Sequence, residues 1–82
     1  MGWRFMPQFY FHTRANGLLV ADQRGLHLRG GGRAACDHAI QCTPSLLQKY
    51  SDQDNTHVST QICDETGHTI AVIRGTVILE RW

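Results

Sequence analysis

Residues 8–21 form the stretch QFYFHTRANGLLVA, which decides the fold. Its first half has the period-two pattern of a β-strand, with Phe9, Phe11 and Thr13 on one side and Tyr10, His12 and Arg14 on the other. Asn16-Gly17 follows, and both residues tolerate the positive φ angles of a type I′ turn. A two-residue turn pairs Thr13 with Val20 and puts four apolar side chains on one face, those of Phe9, Phe11, Leu18 and Val20. Turn chemistry and hydrophobic pattern therefore predict the same β-hairpin.

The hydrophobic period becomes helical after a run of three glycines at residues 30–32. From Arg33 onward, apolar or small side chains recur every three or four residues, which indicates an amphipathic helix. Pro44 lies inside this pattern, where it removes a backbone donor and clashes with the preceding turn. The helix therefore either kinks at Pro44, or ends and restarts with Thr43 as N-cap and Pro44 as the first helical residue. A single kinked helix is the favoured alternative.

A second hairpin follows the polar loop at residues 51–55. Residues 57–63 alternate again, with Val58, Thr60 and Ile62 on one face, and residues 69–73 are β-branched and apolar. The intervening Asp64-Glu65-Thr66-Gly67 is typical of a turn. Gly75 indicates a bulge or bend before residues 76–79 extend the last strand.

The predicted order is therefore ββαββ, an α+β fold with a four-stranded, mainly antiparallel sheet and one helix packed on one face. A brief extended segment is also expected at residues 26–28. The predicted core comprises Phe9, Phe11, Leu18, Val20, Cys36, Ala39, Ile40, Leu47, Val58, Ile62, Ile70 and Val72.

Composition restricts the compartment and the partners. The 82 residues carry eight Lys and Arg against seven Asp and Glu, a net charge of +1, so the basic excess typical of nucleic-acid binders is missing. The three cysteines are an odd number, and the chain shows neither a secretory signal nor an apolar run that could span a bilayer. We therefore expect a cytoplasmic protein with reduced thiols and no membrane attachment.

Several short motifs resemble one family in their order and spacing. Met6-Pro7 precedes aromatic residues and a histidine at 9–12, and Asp22 to Gly25 forms an Asp-rich turn. An Ala-rich helical segment covers residues 34–47, and an Asp-x-x-Gly turn stands at residues 64–67. The chain thereby resembles the family of short bacterial proteins known as domain of unknown function 6894, from Met6 to about Arg74. Here, glycines replace an expected capping Asp, and Pro44 interrupts the helix.

The resemblance implies that Met6 is the natural start, so residues 1–5 are an N-terminal extension and residues 6–82 a single α+β domain. It implies no activity, cofactor or site residue.

Cys36, His38 and Cys42 are the strongest metal candidates by residue type. On one helix Cys36 and His38 lie about 200° apart, and Cys42 lies about 120° from Cys36, so the three cannot converge on one ion. Cys36 lies near Arg33 and His38, as a thiol nucleophile would, but no third orienting group is identified. The glycine run lacks the Lys-Ser/Thr of a phosphate loop. The sequence thus predicts no metal, cofactor or catalytic residue, and no enzyme.

Two surfaces remain as candidates for interaction. Tyr10, His12 and Arg14 lie on the strand face opposite the core, where a single helix cannot cover them. Val77, Ile78 and Leu79 belong to an apolar run that either forms an exposed edge or buries against the helix. We expect a non-enzymatic protein-interaction or self-association module, such as a homodimer. The alternative is nucleic-acid binding through the Tyr10, His12 and Arg14 face, by base stacking and phosphate contact.

Overall fold

The computed structural model describes residues 6–51, 55–80 and 82. Six elements follow in order: β1 (Gln8–Ala15), β2 (Leu18–Val20), β3 (Leu26–His27), α1 (Gly31–Lys49), β4 (Asn55–Cys63) and β5 (Thr69–Ile78). The predicted α+β class and ββαββ order are confirmed, and the extended segment after β2 adds one short strand, β3. The predicted N-terminal extension, residues 1–5, lies outside the described residues.

The first hairpin has the predicted register. Thr13 pairs with Val20, and Ala15 pairs with Leu18 on either side of the turn. Asn16 and Gly17 have φ angles of 51° and 87°. Both values are positive, as a type I′ turn requires, so the turn matches the right-handed twist of the two strands.

The sheet is antiparallel throughout, with the order β2-β1-β4-β5. β3 pairs with the first two residues of β1. The helix connects the two hairpins, so that the first strand of each, β1 and β4, become neighbours at the centre of the sheet. β5 consequently lies at one edge, and β2 lies at the other.

The core forms where α1 packs across β4 and β5. Its fully buried cluster consists of Phe9, Ala35, Ala39 and Ile62. Small helix residues allow the helix to approach the sheet, and the larger strand side chains fill the space between them. Of the predicted core, Phe9, Ala39, Val58 and Ile62 are buried, while Phe11, Cys36 and Leu47 are partly buried.

For three residues the predicted burial in the core is wrong, and the position of the helix explains why. Leu18 and Val20 point to the helix side of the sheet, but they are 58% and 48% exposed. They belong to β2, whereas α1 covers the opposite half of the sheet. Ile40 is also exposed, because it follows buried Ala39 by one residue and so turns about 100° away from the core.

The prediction that Ile70 and Val72 belong to the core is wrong, because the opposite face of β5 points to the helix. The β4–β5 register pairs Ile62 with Ala71 and Thr60 with Ile73, so Ala71 and Ile73 face the helix. Val72 pairs with Gln61 and points to the far side of the sheet. A register shift between Ile62 and Cys63 leaves Ile70 as an extra residue of a bulge.

The helix passes through Pro44 without ending, so the alternative of two helices separated at Thr43 is excluded. Pro44 has no N–H to donate to the carbonyl of Ile40. The hydroxyl of the preceding residue, Thr43, donates to the Ala39 carbonyl at 2.8 Å. Gly75 pairs with Val58 in an unbroken part of the ladder, so it marks neither the bulge nor the end of β5.

Candidate functional site

The far face of the sheet carries Tyr10, His12 and Arg14, as predicted. The rings of Tyr10 and His12 stack with centroids 6.5 Å apart, and Arg14 is exposed. The helix packs against the opposite face, so Tyr10 and His12 are only half-buried. The three side chains line up along β1, an interior strand.

His12 has a structural contact that the sequence did not reveal. The backbone N–H of Asp22 donates to Nδ1 of His12 at 3.0 Å. The carboxylate of Asp22 in turn accepts the N–H groups of Phe11 at 3.1 Å, Arg24 at 3.0 Å and Gly25 at 3.1 Å. His12 and Asp22 therefore join the middle of β1 to the turn between β2 and β3.

The same hydrogen bonds control the ionisation of Asp22. Burial is the largest influence and raises the pKa, but the three N–H donors together outweigh it. The nearby imidazole of His12 acts in the same direction as the donors. The pKa of Asp22 is thus held below its ordinary value of 3.8.

We expect Asp22→Asn to lower the free energy of unfolding by about 1–2 kcal/mol at pH 7, because hydrogen bonds to a charged acceptor are lost. The folded pKa lies below the unfolded one, so this contribution is present above pH 3.8 and is lost as pH falls through the folded value. Urea unfolding followed by circular dichroism at pH 7 and pH 3 measures it. The difference between wild type and variant should shrink at pH 3.

Asp37→Asn is the matched control, since it removes an equal charge from an exposed helix position. Among the described residues Asp37 forms one ion pair, with Arg33 at 3.9 Å, and such a surface pair contributes little. An Asp22→Asn deficit of equal size at pH 3 and pH 7 would contradict this account of the turn.

A row of polar groups crosses the far face next to His12. Arg14 pairs with Ser59 on β4, and Ser59 pairs with Arg74 on β5, so two guanidinium groups flank one hydroxyl. His57 lies two residues from Ser59 on the same face and hydrogen-bonds Thr76. These residues line a cleft of about 400 Å³. Within the described strands, no carboxylate lies on this face, and its charged groups are the guanidiniums of Arg14 and Arg74.

Sequence reasoning found Arg14 but missed Ser59, Arg74 and His57. Their proximity depends on β1 and β5 both pairing with β4, and no local pattern reveals that order. The predicted surface is therefore broader than the three residues on β1.

The second predicted set lies at the end of the edge strand β5, with Leu79 one residue beyond it. Val77 and Leu79 are 41% and 51% exposed, and Ile78 is 67% exposed. β5 pairs with β4 alone among the described strands, so every second residue directs its backbone N–H and C=O groups outward. β4 and β5 separate this edge from Tyr10, His12 and Arg14, so the two predicted sets form two surfaces and not one.

A groove opens on the helix side, over the part of the sheet that α1 leaves uncovered. Its volume is about 390 Å³, and apolar side chains such as Phe11, Leu26 and Leu46 line it. His38 and Cys42 stand on its helix wall, with Nε2 of His38 3.6 Å from Sγ of Cys42. Cys36 instead packs against the core cluster. Thus the three metal candidates do not converge, and the described residues contain no cluster of three or more side chains suited to a metal.

Comparison with known proteins identifies one family. The model of the family described as Domain of unknown function (DUF6894) matches residues 8–76. No curated protein and no solved structure matches the chain significantly. In the part of the chain that the structure describes, no helix has the length and apolar character needed to cross a membrane. The match covers every strand and the helix, up to the last two residues of β5.

Proposed function

The chain belongs to the DUF6894 family, and from that premise we propose that it is a non-enzymatic self-association module, a homodimer formed by antiparallel pairing of the β5 strands of two copies. The observation that supports this most is the exposed apolar edge of β5. An unprotected edge strand of ten residues presents a ladder of unpaired backbone groups. Its last part combines these groups with the exposed side chains of Val77 and Ile78.

Proteins that avoid edge pairing shorten the edge strand or place charges, prolines or bulges on it. The other edge of this sheet follows that pattern, since β2 has only three residues. β5 follows it less closely, because it has ten residues, and its bulge near Thr69 and its one charge, Arg74, both precede the apolar residues Val77 and Ile78. The contrast between the two edges favours β5 as the interface.

Charge complementarity suggests a register for the pairing. A two-fold axis at Val77 places Thr76 opposite Ile78 of the second copy and Arg74 opposite Glu80. Arg74 and Glu80 then form two symmetric cross-strand ion pairs at the ends of the apolar segment. A two-fold arrangement requires such self-complementarity, in which residue i contacts j and j contacts i.

The small size of the domain supplies a further reason for association. A domain of about 80 residues buries a limited fraction of its surface and gains stability by oligomerising. Pairing at β5 extends the sheet across the two copies and covers side chains that α1 leaves exposed. All three cysteines are free thiols, which suits the reducing cytoplasm that we propose for the module.

Ile78→Lys should convert the dimer to a monomer. In the proposed register, the introduced ammonium group lies opposite Thr76 of the second chain and diagonal both to its own copy and to Arg74 of that chain, so like charges meet at about 7–8 Å. Multi-angle light scattering across micromolar concentrations measures the mass. Wild type should give twice the 9.3 kDa of the chain, and the variant should give 9.3 kDa.

Leu19→Lys provides the matched control. Leu19 is 54% exposed on the same face of the sheet, but it lies on the opposite edge strand, β2. This variant should remain dimeric. A wild-type mass of 9.3 kDa at every concentration, or dissociation caused by Leu19→Lys and not by Ile78→Lys, would contradict the proposal.

Nucleic-acid binding is the second candidate, and the row of Arg14, Ser59 and Arg74 favours it. Single-stranded RNA would stack bases near Tyr10 and place phosphates between the two guanidinium groups. The net charge of only +1 makes it the weaker candidate. Fluorescence anisotropy with a labelled oligonucleotide at 50 and 200 mM salt tests it. Arg74→Gln should weaken binding, whereas Arg33→Gln, on the helix, should not. Binding that is absent, or that does not depend on salt, would refute nucleic-acid binding.

A further inference from the structure

The helix-side groove contains a thiol and an imidazole in contact, and neither the fold nor the self-association uses them. Cys42 and His38 are separated by one turn of α1, and their Sγ and Nε2 atoms lie 3.6 Å apart. Side chains four residues apart on a helix meet on one face. Both residues are partly buried, and both line the 390 Å³ groove.

The His38 ring is held in place from the other side of the groove. Phe11 on β1 meets it in an edge-to-face contact with centroids 5.1 Å apart and an angle of 62° between the rings. Such aromatic contacts fix both position and orientation. The imidazole therefore has one nitrogen directed at the thiol, which is the geometry that nucleophile activation requires.

We propose that Cys42 is a reactive thiol, activated by His38, that forms covalent adducts with apolar α,β-unsaturated carbonyl compounds bound in the groove. The proton of Cys42 passes to Nε2 of His38, and the sulfur electron pair forms an S–C bond to the β-carbon. The C=C π electrons move onto the α-carbon and carbonyl as an enolate, which then takes the proton back from His38. No group leaves, and no oxidant is needed.

The groove determines the class of compound. Phe11, Leu26 and Leu46 form apolar walls, which suit a hydrocarbon chain, and the volume lies at the lower end of the range for small-molecule sites. Asp22 and Lys49 are the charged groups at the lining. A thiol is a soft nucleophile, and an enal with a medium-length chain combines a soft electrophilic carbon with that apolar tail.

The other two cysteines of the chain serve as internal controls. Cys63 is buried, and Cys36 packs against the core six residues before Cys42 on the same helix. The folded protein is treated with trans-2-nonenal at pH 7, and peptide mapping by mass spectrometry follows each cysteine over time. We expect Cys42 to react about tenfold faster or more than Cys36 and Cys63, since general-base assistance contributes at least that much.

The variant His38→Gln tests whether the Cys42 thiol reacts because His38 activates it or only because it is exposed. At pH 7 it should reduce the Cys42 rate about tenfold or more, whereas His57→Gln, on the far face, should leave the rate unchanged. At pH 9.5 an ordinary thiol, with a pKa of about 8.5, is ionised without help, so wild type and His38→Gln should converge. Equal rates for Cys42 and Cys36, an unchanged Cys42 rate in His38→Gln at pH 7, or a deficit that persists at pH 9.5 would overturn the proposal.

Discussion

Ile62→Ala should lower the free energy of unfolding by about 2–5 kcal/mol, because it removes a fully buried side chain and leaves a cavity. Ile62 is 0% exposed near the end of β4, in the cluster with Phe9, Ala35 and Ala39. A loss of that size approaches the whole stability of a small domain. Urea unfolding followed by circular dichroism measures it, and Ile62→Val should lose only about 0.5–1.5 kcal/mol.

Val72→Ala is the matched control for this experiment. Val72 lies on β5 and pairs with Gln61, the neighbour of Ile62, but its side chain points to the far face and is 41% exposed. Its truncation should therefore change stability by about 0.5 kcal/mol or less. Equal losses for Ile62→Ala and Val72→Ala would show that the inward face of β5 is the one first expected from the sequence.

Gly75→Ala should destabilise the domain by about 1–3 kcal/mol, because it overpacks the contact between helix and sheet. A Cβ atom at Gly75 would lie 2.5 Å from Cγ2 of Thr43 and 3.2 Å from Cδ1 of Leu47. Thr43 is β-branched and sits on a helix, so its methyl group has little freedom to move. The missing side chain at Gly75 is what admits α1 so close to β5.

Thr43→Ser provides a rescue for that variant. Serine keeps the hydroxyl that donates to the Ala39 carbonyl and lacks the Cγ2 methyl. The double variant should recover part of the loss, with a coupling energy of about 0.5 kcal/mol or more in a double-mutant cycle. Additive effects of the two substitutions would contradict the predicted clash.

The first hairpin was predictable because two local signals agree. Asn16-Gly17 specifies the turn, and the alternation before it specifies which face of β1 is apolar. β2 shares that face, but local signals do not say how far the helix extends across the sheet. The pattern therefore predicts Leu18 and Val20 in the core, although the helix lies over β4 and β5.

The position of the second hairpin was predictable, but the side of β5 that points to the helix was not. Residues 69–73 are almost uniformly apolar, so the pattern does not distinguish the inward face. The register shift beside Cys63 then decides it, because a slip of one residue moves every side chain to the other side. A bulge of this kind leaves no clear signal in the sequence.

The candidate sites depended even more on tertiary structure. Val77 and Ile78 were identified from composition, and their exposure fits an edge strand. The Arg14–Ser59–Arg74 row could not be predicted, because it depends on the strand order, which only the structure shows. The contact of His38 with Cys42 follows from helical spacing. The ring of Phe11 and the groove complete the candidate site, and the sequence does not show that they lie nearby.

An isotope-filtered nuclear Overhauser experiment on an equal mixture of labelled and unlabelled chain tests the β5 dimer most directly. Antiparallel pairing about Val77 predicts contacts between copies along residues 74–80, strongest between the backbone protons of Thr76 and Ile78. No such contacts should involve Leu19 on the opposite edge. Absence of contacts between copies at millimolar protein, or contacts confined to the Tyr10, His12 and Arg14 face, would contradict the proposed interface.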